Sequence, residues 1–298
     1  MKAYNKKLLA NYKNGNYVVK IYSDGTKIRY TNKDEFEALF PESIDIKITN
    51  YCDSNCSMCH ERSDTLGKHA RIDHKFLTTL KRGTELAIGG GNPLSHPQLF
   101  EFLSLMKIKG VICNITINQL HFGIYKDYLQ ELIDKKLIYG LGISVNNSFL
   151  VEEIINFANI NKNVVIHLIA GIIDDKLVSI LKNNNLKILI LGYKKFGKGI
   201  NYYSDEVENK ISYLKDNLID ISKYFDIVSF DNLAINQLDI KNQIGDDDYN
   251  SYYMGDDGMF TMYIDLVNET FATSSVTEKR YEILDNIEDM FRIVKENR

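Results

Sequence analysis

The chain has 298 residues, 44% hydrophobic and 26% charged, the balance of a globular protein with a sizeable core and not of a disordered or membrane chain. Thirty-six Lys and Arg against 40 Asp and Glu leave a formal charge of −4, which excludes a uniformly basic nucleic-acid binder. No apolar run of about 18 residues offers a membrane span, and MKAYNKKLLANYKNGN lacks the apolar centre of a secretory signal, so the cytoplasm is the expected location.

In chain order, residues 17–30 alternate in period two around Asp24-Gly25, a strong hairpin signal. Period-two or apolar segments at 44–49, 85–88, 111–117, 137–145, 164–170, 186–191 and 226–230 then alternate with helical patterns at 75–81, 97–109, 125–136, 149–159, 175–183 and 205–224. Alternation of this kind predicts βαβ units and a mostly parallel sheet. The expected fold is α/β, a partial (β/α)6 barrel of parallel strands with an N-terminal β-hairpin and a short C-terminal hairpin-helix extension. Its functional groups belong on the loops after the strands. Residues 1–40 are expected as the hairpin appendage, 41–232 as the barrel, and 233–298 as the extension, with strands at 260–267 and 271–275 and a closing helix from about 285. The acidic runs Asp246–Asp248 and Asp256-Asp257, interleaved with tyrosines, are expected as one mobile loop.

The cysteines are unevenly placed. Cys52, Cys56 and Cys59 fall within eight residues, directly after the strand at 44–49, whereas Cys113 stands alone inside a strand, as a buried structural thiol would. A disulfide framework needs a dispersed, even set in an oxidising compartment. Three thiolates spaced four and three apart can each hold one iron of a cubane cluster, and with no fourth cysteine nearby one iron keeps an open coordination position. By analogy with zinc, an open position belongs to a metal that does chemistry. The same residues allow a Cys3His zinc site completed by His60, for which the adjacent Cys59 and His60 must converge on one ion, or a loop of unliganded thiols.

The Cys-x3-Cys-x2-Cys motif after the first strand of a partial barrel resembles the radical S-adenosylmethionine (SAM) superfamily, over about residues 44–230. The resemblance implies one 4Fe–4S cluster on Cys52, Cys56 and Cys59, with SAM chelated at the open iron. It implies reductive cleavage of SAM to methionine and a 5′-deoxyadenosyl radical, hydrogen abstraction from a substrate, and an oxidoreductase or transferase reaction. An electron donor such as flavodoxin or ferredoxin is the implied partner. Met58, just before the third cysteine, falls where the family has an apolar residue near the adenine.

The second strand ends in Gly89-Gly90-Gly91-Asn92-Pro93. Glycines at a strand end permit close approach of backbone to a ligand. The family carries Gly-Gly-Glu-Pro here against the methionine amino group, so the resemblance makes Gly89, Gly90, Gly91 and Asn92 SAM contacts, with Asn92 in place of the acid. Asn118, Ser144 and His167 end the next three strands, where a ribose or carboxylate would lie, although each also suits a cap or turn. Lys194 opens the Lys-Lys-Phe-Gly-Lys-Gly loop, a candidate for an anionic group or a solvated basic loop.

The segment from Met262 to Ser275 resembles the hairpin that opens an auxiliary-cluster extension in peptide-modifying members of the superfamily, which implies a peptide or protein substrate. Ser274 and Ser275 stand where a cysteine is expected, so no second cluster is implied. Two alternatives remain from other classes: a radical SAM enzyme acting on a nucleoside or nucleotide, suggested by the basic loop, and a non-catalytic iron–sulfur or zinc protein.

Overall fold

The computed structural model describes residues 6–298. Strands β1 (Leu8–Asn14), β2 (Tyr17–Tyr22) and β3 (Lys27–Tyr30) form an antiparallel meander. The expected hairpin is β2–β3; β1 is an additional strand that the charged N-terminal sequence does not announce.

The second sheet has ten strands in the order β10-β9-β8-β7-β6-β5-β4-β11-β12-β13. Strands β4 (Ser43–Thr49), β5 (Glu85–Gly90), β6 (Ile112–Asn118), β7 (Gly140–Ser144), β8 (Val164–Ile169), β9 (Lys187–Leu191) and β10 (Ile227–Phe230) are parallel, each pairing with the next in the chain. Helices α1 (Leu99–Lys109), α2 (Gln119–Asp134), α3 (Val151–Ile160), α4 (Asp175–Leu181), α5 (Gly199–Tyr202) and α6 (Asp205–Ser222) fill the crossovers. This is the expected α/β architecture with its mostly parallel sheet.

The details differ in four places. The helix expected at 75–81 is a single 3-10 turn, Lys75–Thr79. Helix α2 starts directly after β6, six residues earlier than its periodicity suggests, because Asn118 caps it by accepting the Leu120 N–H and the non-helical Tyr125 breaks the pattern inside it. After β10 come α7 (Asn232–Gln237), α8 (Ile240–Ile244) and α9 (Asp246–Tyr252). The acidic segment expected as a mobile loop is therefore partly helical, with Asp246–Asp248 in the first turn of α9, where carboxylates complement the helix dipole. Finally, β11 (Thr261–Asp265) pairs in parallel with β4, Ile264 opposite Ile46, while β12 (Thr270–Ala272) and β13 (Tyr281–Glu282) add antiparallel. The expected C-terminal hairpin is thus part of the main sheet, and α10 (Ile287–Glu296) packs against the 3-10 turn, where Ile287 N donates to Thr79 Oγ1 at 3.0 Å.

The strands distribute their side chains unequally between two faces. On β4, Ile44, Ile46 and Ile48 are buried and alternate with Ser43, Asp45 and Lys47; on β6, Cys113, Ile115 and Ile117 are buried and alternate with the partly exposed Asn114, Thr116 and Asn118. The same alternation sets buried Ile166 and Leu168 against His167 on β8. The apolar face packs under the helices, and the other face, which would line the lumen of the expected partial barrel, carries the polar residues. No helix is long and apolar enough to cross a membrane among the described residues.

The N-terminal meander docks on the barrel end opposite the cysteines, at the start of β4, through Glu42. This carboxylate is fully buried; its Oε1 accepts from Tyr17 Oη at 2.6 Å and from Arg29 Nε at 2.8 Å. Lys27 Nζ lies 3.4 Å from Oε2, a charge contact without hydrogen-bond geometry, and also pairs with Glu85. Arg29 in turn stacks on Phe260, 3.8 Å from the ring centre. Removing the acid leaves Arg29 without its carboxylate partner, while Lys27 keeps Glu85. Glu42→Ala is therefore expected to destabilise the protein by about 3–5 kcal/mol in denaturant unfolding, against less than half of that for Tyr17→Phe, which removes one hydrogen bond. Equal stability of Glu42→Ala and the wild type would show that the meander is not held by this charge.

Candidate active site

Cys52, Cys56 and Cys59 lie in the segment that leaves the C-terminal end of β4. The loop folds back on its own strand: Asn50 N donates to Lys68 O, Ala70 N to Ile48 O and Cys52 N to Asp64 O, all at 2.8–2.9 Å. Two further loops clamp it. On one side, Gly91 N donates to Thr49 O and Asn92 N to Tyr51 O, and a Cβ on Gly91 would stand 2.1 Å from Tyr51 O. On the other, Lys198 N donates to Cys59 O, and Gly197 (φ +59°) would place a Cβ 2.2 Å from His60 O. Both glycines are thus required by close backbone approach to the cysteine loop.

All four cysteines are free thiols. Cys113 points to the helix-covered face of β6, away from the other three, and burial pushes its pKa up to about 12. Burial also raises the pKa of Cys52 and Cys56, and their neighbouring sulfurs raise it further. As thiolates the three would repel one another, and a bound metal relieves this. Among the described residues, the one trio of potential ligand atoms within 4.8 Å of one another is Cys52, Asp53 and His121, not the three thiols. One zinc ion would require its sulfurs about 3.8 Å apart at Zn–S distances of about 2.3 Å. A cubane takes one thiolate on each of three separate irons and suits the wider spread. Asn118 Nδ2 reaches Cys56 Sγ at 3.7 Å, the type of contact that tunes cluster thiolates.

The other residues expected at the site fall into distinct groups. Asn118, Ser144 and His167 are register partners, Asn118 opposite Ser144 and Ser144 opposite His167, so they form one row across β6, β7 and β8. His167 has an unpartnered, buried Nδ1, and burial lowers its pKa to about 4, which leaves the ring neutral. Gly89, on the lumen face of β5, pairs with Lys47, and Gly90 with Thr49. Met58 is partly buried against the core. Asn92 is fully buried and its amide is engaged: Oδ1 accepts the Leu94 N–H at 3.2 Å, capping the turn Pro93–Ser95, and Nδ2 donates to Asp53 Oδ1 at 3.3 Å. Lys194 Nζ donates to Ser275 Oγ at 3.0 Å and lies 3.4 Å from His60 Nε2. Lys198 donates to Asn55 Oδ1 and Ser63 O, so it braces the cysteine loop.

Sequence reasoning missed two clusters. The first is His121, buried on the first turn of α2, whose Nε2 lies 2.8 Å from both Asp53 Oδ1 and Ser54 Oγ. Burial lowers the His121 pKa against the opposing pull of Asp53, so a neutral ring donates to the carboxylate. Its signal would have been the early start of α2. The second spans residues over 200 apart in sequence: Lys47 Nζ lies 2.8 Å from Glu61 Oε2 and 3.2 Å from Asp265 Oδ2, and Tyr263 Oη donates to Glu61 at 3.1 Å. Burial works against the Lys47 charge, but Glu61 and Asp265 outweigh it and raise the pKa. Nothing local in sequence marks this network, because β11 reaches β4 only in the folded sheet.

No protein-family model and no curated protein matches the chain. Among solved structures, Streptococcus suis SuiB bound to its precursor peptide SuiA matches with a TM-score of 0.60 at 18% identity, over 88% of this chain and 67% of that one. SuiB bound to S-adenosylmethionine matches with a TM-score of 0.57 at 14% identity, over 83% and 64%. Unbound SuiB also gives 0.57, at 16% identity. The chain spans about two thirds of the length of SuiB, and the likeness is one of fold: a curled α/β sheet shared by this protein and SuiB.

Proposed function

We propose that the protein is a radical SAM enzyme with one 4Fe–4S cluster held by Cys52, Cys56 and Cys59, acting on a peptide or protein. The observation that carries this reading is three free thiols on the loop after β4, clamped by backbone contacts from the loops after β5 and β9. Shared fold with a protein crystallised with SAM and with a precursor peptide supports it. When bound, the cluster supplies the electron that splits SAM into methionine and a 5′-deoxyadenosyl radical able to take hydrogen from a substrate.

The chain's own residues bind and orient. Gly89, Gly90 and Gly91 offer backbone groups beside the cysteine loop, and Asn118, Ser144 and His167 offer a row of polar atoms along the lumen. Asn92, with its oxygen used in capping, contributes through Asp53 and the shape of the Cys52 loop. Met58 supplies an apolar wall. A flavodoxin or ferredoxin suits the role of reductant, and a cytoplasmic setting suits the free thiols. In the basic loop that suggests the nucleotide alternative, Lys194 and Lys198 donate to Ser275, Asn55 and Ser63, so the peptide reading is favoured.

Anaerobic reconstitution should give about four irons per chain, and Cys52→Ala, Cys56→Ala or Cys59→Ala should each abolish the cluster absorption while Cys113→Ala retains it. Stoichiometric zinc in protein purified without air, or twice the iron, contradicts the assignment. With dithionite and SAM, the reconstituted protein should release 5′-deoxyadenosine slowly without substrate. If SAM leaves the electron paramagnetic resonance of the reduced cluster unchanged and no 5′-deoxyadenosine forms, the non-catalytic alternative stands in its place.

A further inference from the structure

The lumen holds one carboxylate that none of the contacts above employs. Asp45 sits at the middle of β4, in the register row Tyr263–Asp45–Ala87–Asn114. Its side chain is open to water, on the strand face turned away from the packed helices. The charged groups that act on it are Lys194 after β9, Asp231 after β10, Asp257 before β11 and Glu61 in the loop after β4. Among the described residues no side chain pairs with Asp45.

We propose that Asp45 receives a cationic group of the substrate, an amine or guanidinium, inside the barrel. The proposal rests on reading the barrel as the substrate chamber of a SAM enzyme. A carboxylate solvated by water alone, with no partner in the protein, is free to take a charge-assisted hydrogen bond from a ligand. Both nearby lysines have other partners: Lys47 is committed to Glu61 and Asp265, and Lys194 donates to Ser275. Three anions, Asp231, Asp257 and Glu61, act on Asp45 in one direction and Lys194 in the other. The three anions are themselves satisfied. Asp231 accepts the Gly192 and Ala234 N–H groups, Asp257 accepts from Asn232, and Glu61 pairs with Lys47. Only Asp45 is left to make a new bond. A peptide presenting a lysine or arginine side chain carries such a cationic group.

The test uses reconstituted protein with SAM and three probes of similar size: the N-acetyl, N-methylamide derivatives of lysine, norleucine and glutamate. Dissociation constants from ligand-observed NMR should place the lysine probe about ten-fold or more below the norleucine probe, with the glutamate probe weakest. Asp45→Asn should erase the difference between lysine and norleucine, and Asp45→Glu should keep its sign. Equal behaviour of the lysine and norleucine probes on the wild type, including no binding of either, overturns the proposal, as does a preference that survives Asp45→Asn. If Asp45→Asn does not fold, the wild-type ranking and Asp45→Glu decide the matter. Wild-type 5′-deoxyadenosine formation, measured without probe in the same samples, reports separately on the SAM reading: its absence removes that reading and leaves the probe ranking intact.

Discussion

Backbone lying against backbone on both flanks of the cysteine loop sets the geometry of everything around it. The carbonyls of Tyr51 and His60 come so close to Gly91 and Gly197 that no side chain fits between them. The same segments exchange N–H···O=C bonds, from Asn92 to Tyr51 and from Lys198 to Cys59. Three loops, after β4, β5 and β9, are thereby locked into one unit without a side chain at the point of contact. A loop fixed in this way holds its thiols at set positions before any metal arrives, so little ordering entropy remains to oppose binding.

Side chains reinforce the unit from its outer edge. Lys198 reaches two acceptors on the loop, and His121 reaches Asp53 and Ser54 from the first turn of α2. Asn118 links two roles, capping α2 through Oδ1 and facing Cys56 through Nδ2. The end of one strand thus both starts the helix that carries His121 and supplies a donor to a thiol.

The lumen differs from the packed interior of a closed (β/α)8 barrel, where layers of branched side chains fill the axis. Here the inward positions hold Asp45, Lys47, Gly89, Asn114, Thr116, Ser144 and His167, small or polar residues that leave room for a ligand. The apolar area needed for stability is gathered on the other face of the same strands, under the helices, with isoleucines at Ile44, Ile46, Ile48, Ile115, Ile117 and Ile166. The buried Glu42 cluster fastens the N-terminal meander at the far end of the barrel, so the mouth stays free.

Much of this was legible in the sequence because it depends on local periodicity. Alternation of period two marked seven parallel strands, and the cysteine spacing marked the loop after the first of them. Strand order follows from chain order in a βα repeat, which is why Asn118, Ser144 and His167, read one by one as strand ends, fall into a single row. What the sequence left open depends on where atoms meet after folding. A lysine in a glycine-rich loop has the same local signal whether it binds an anion or braces a neighbouring loop, and only the position of Asn55 and Ser63 decided for Lys198. The amide of Asn92 is expected at the SAM amino group, and the backbone N–H of Leu94 takes its oxygen. Tertiary structure alone joined β11 to β4, and with it brought Asp265 and Tyr263 to Lys47 and Glu61, because pairing between segments more than 200 residues apart has no periodic trace in either one.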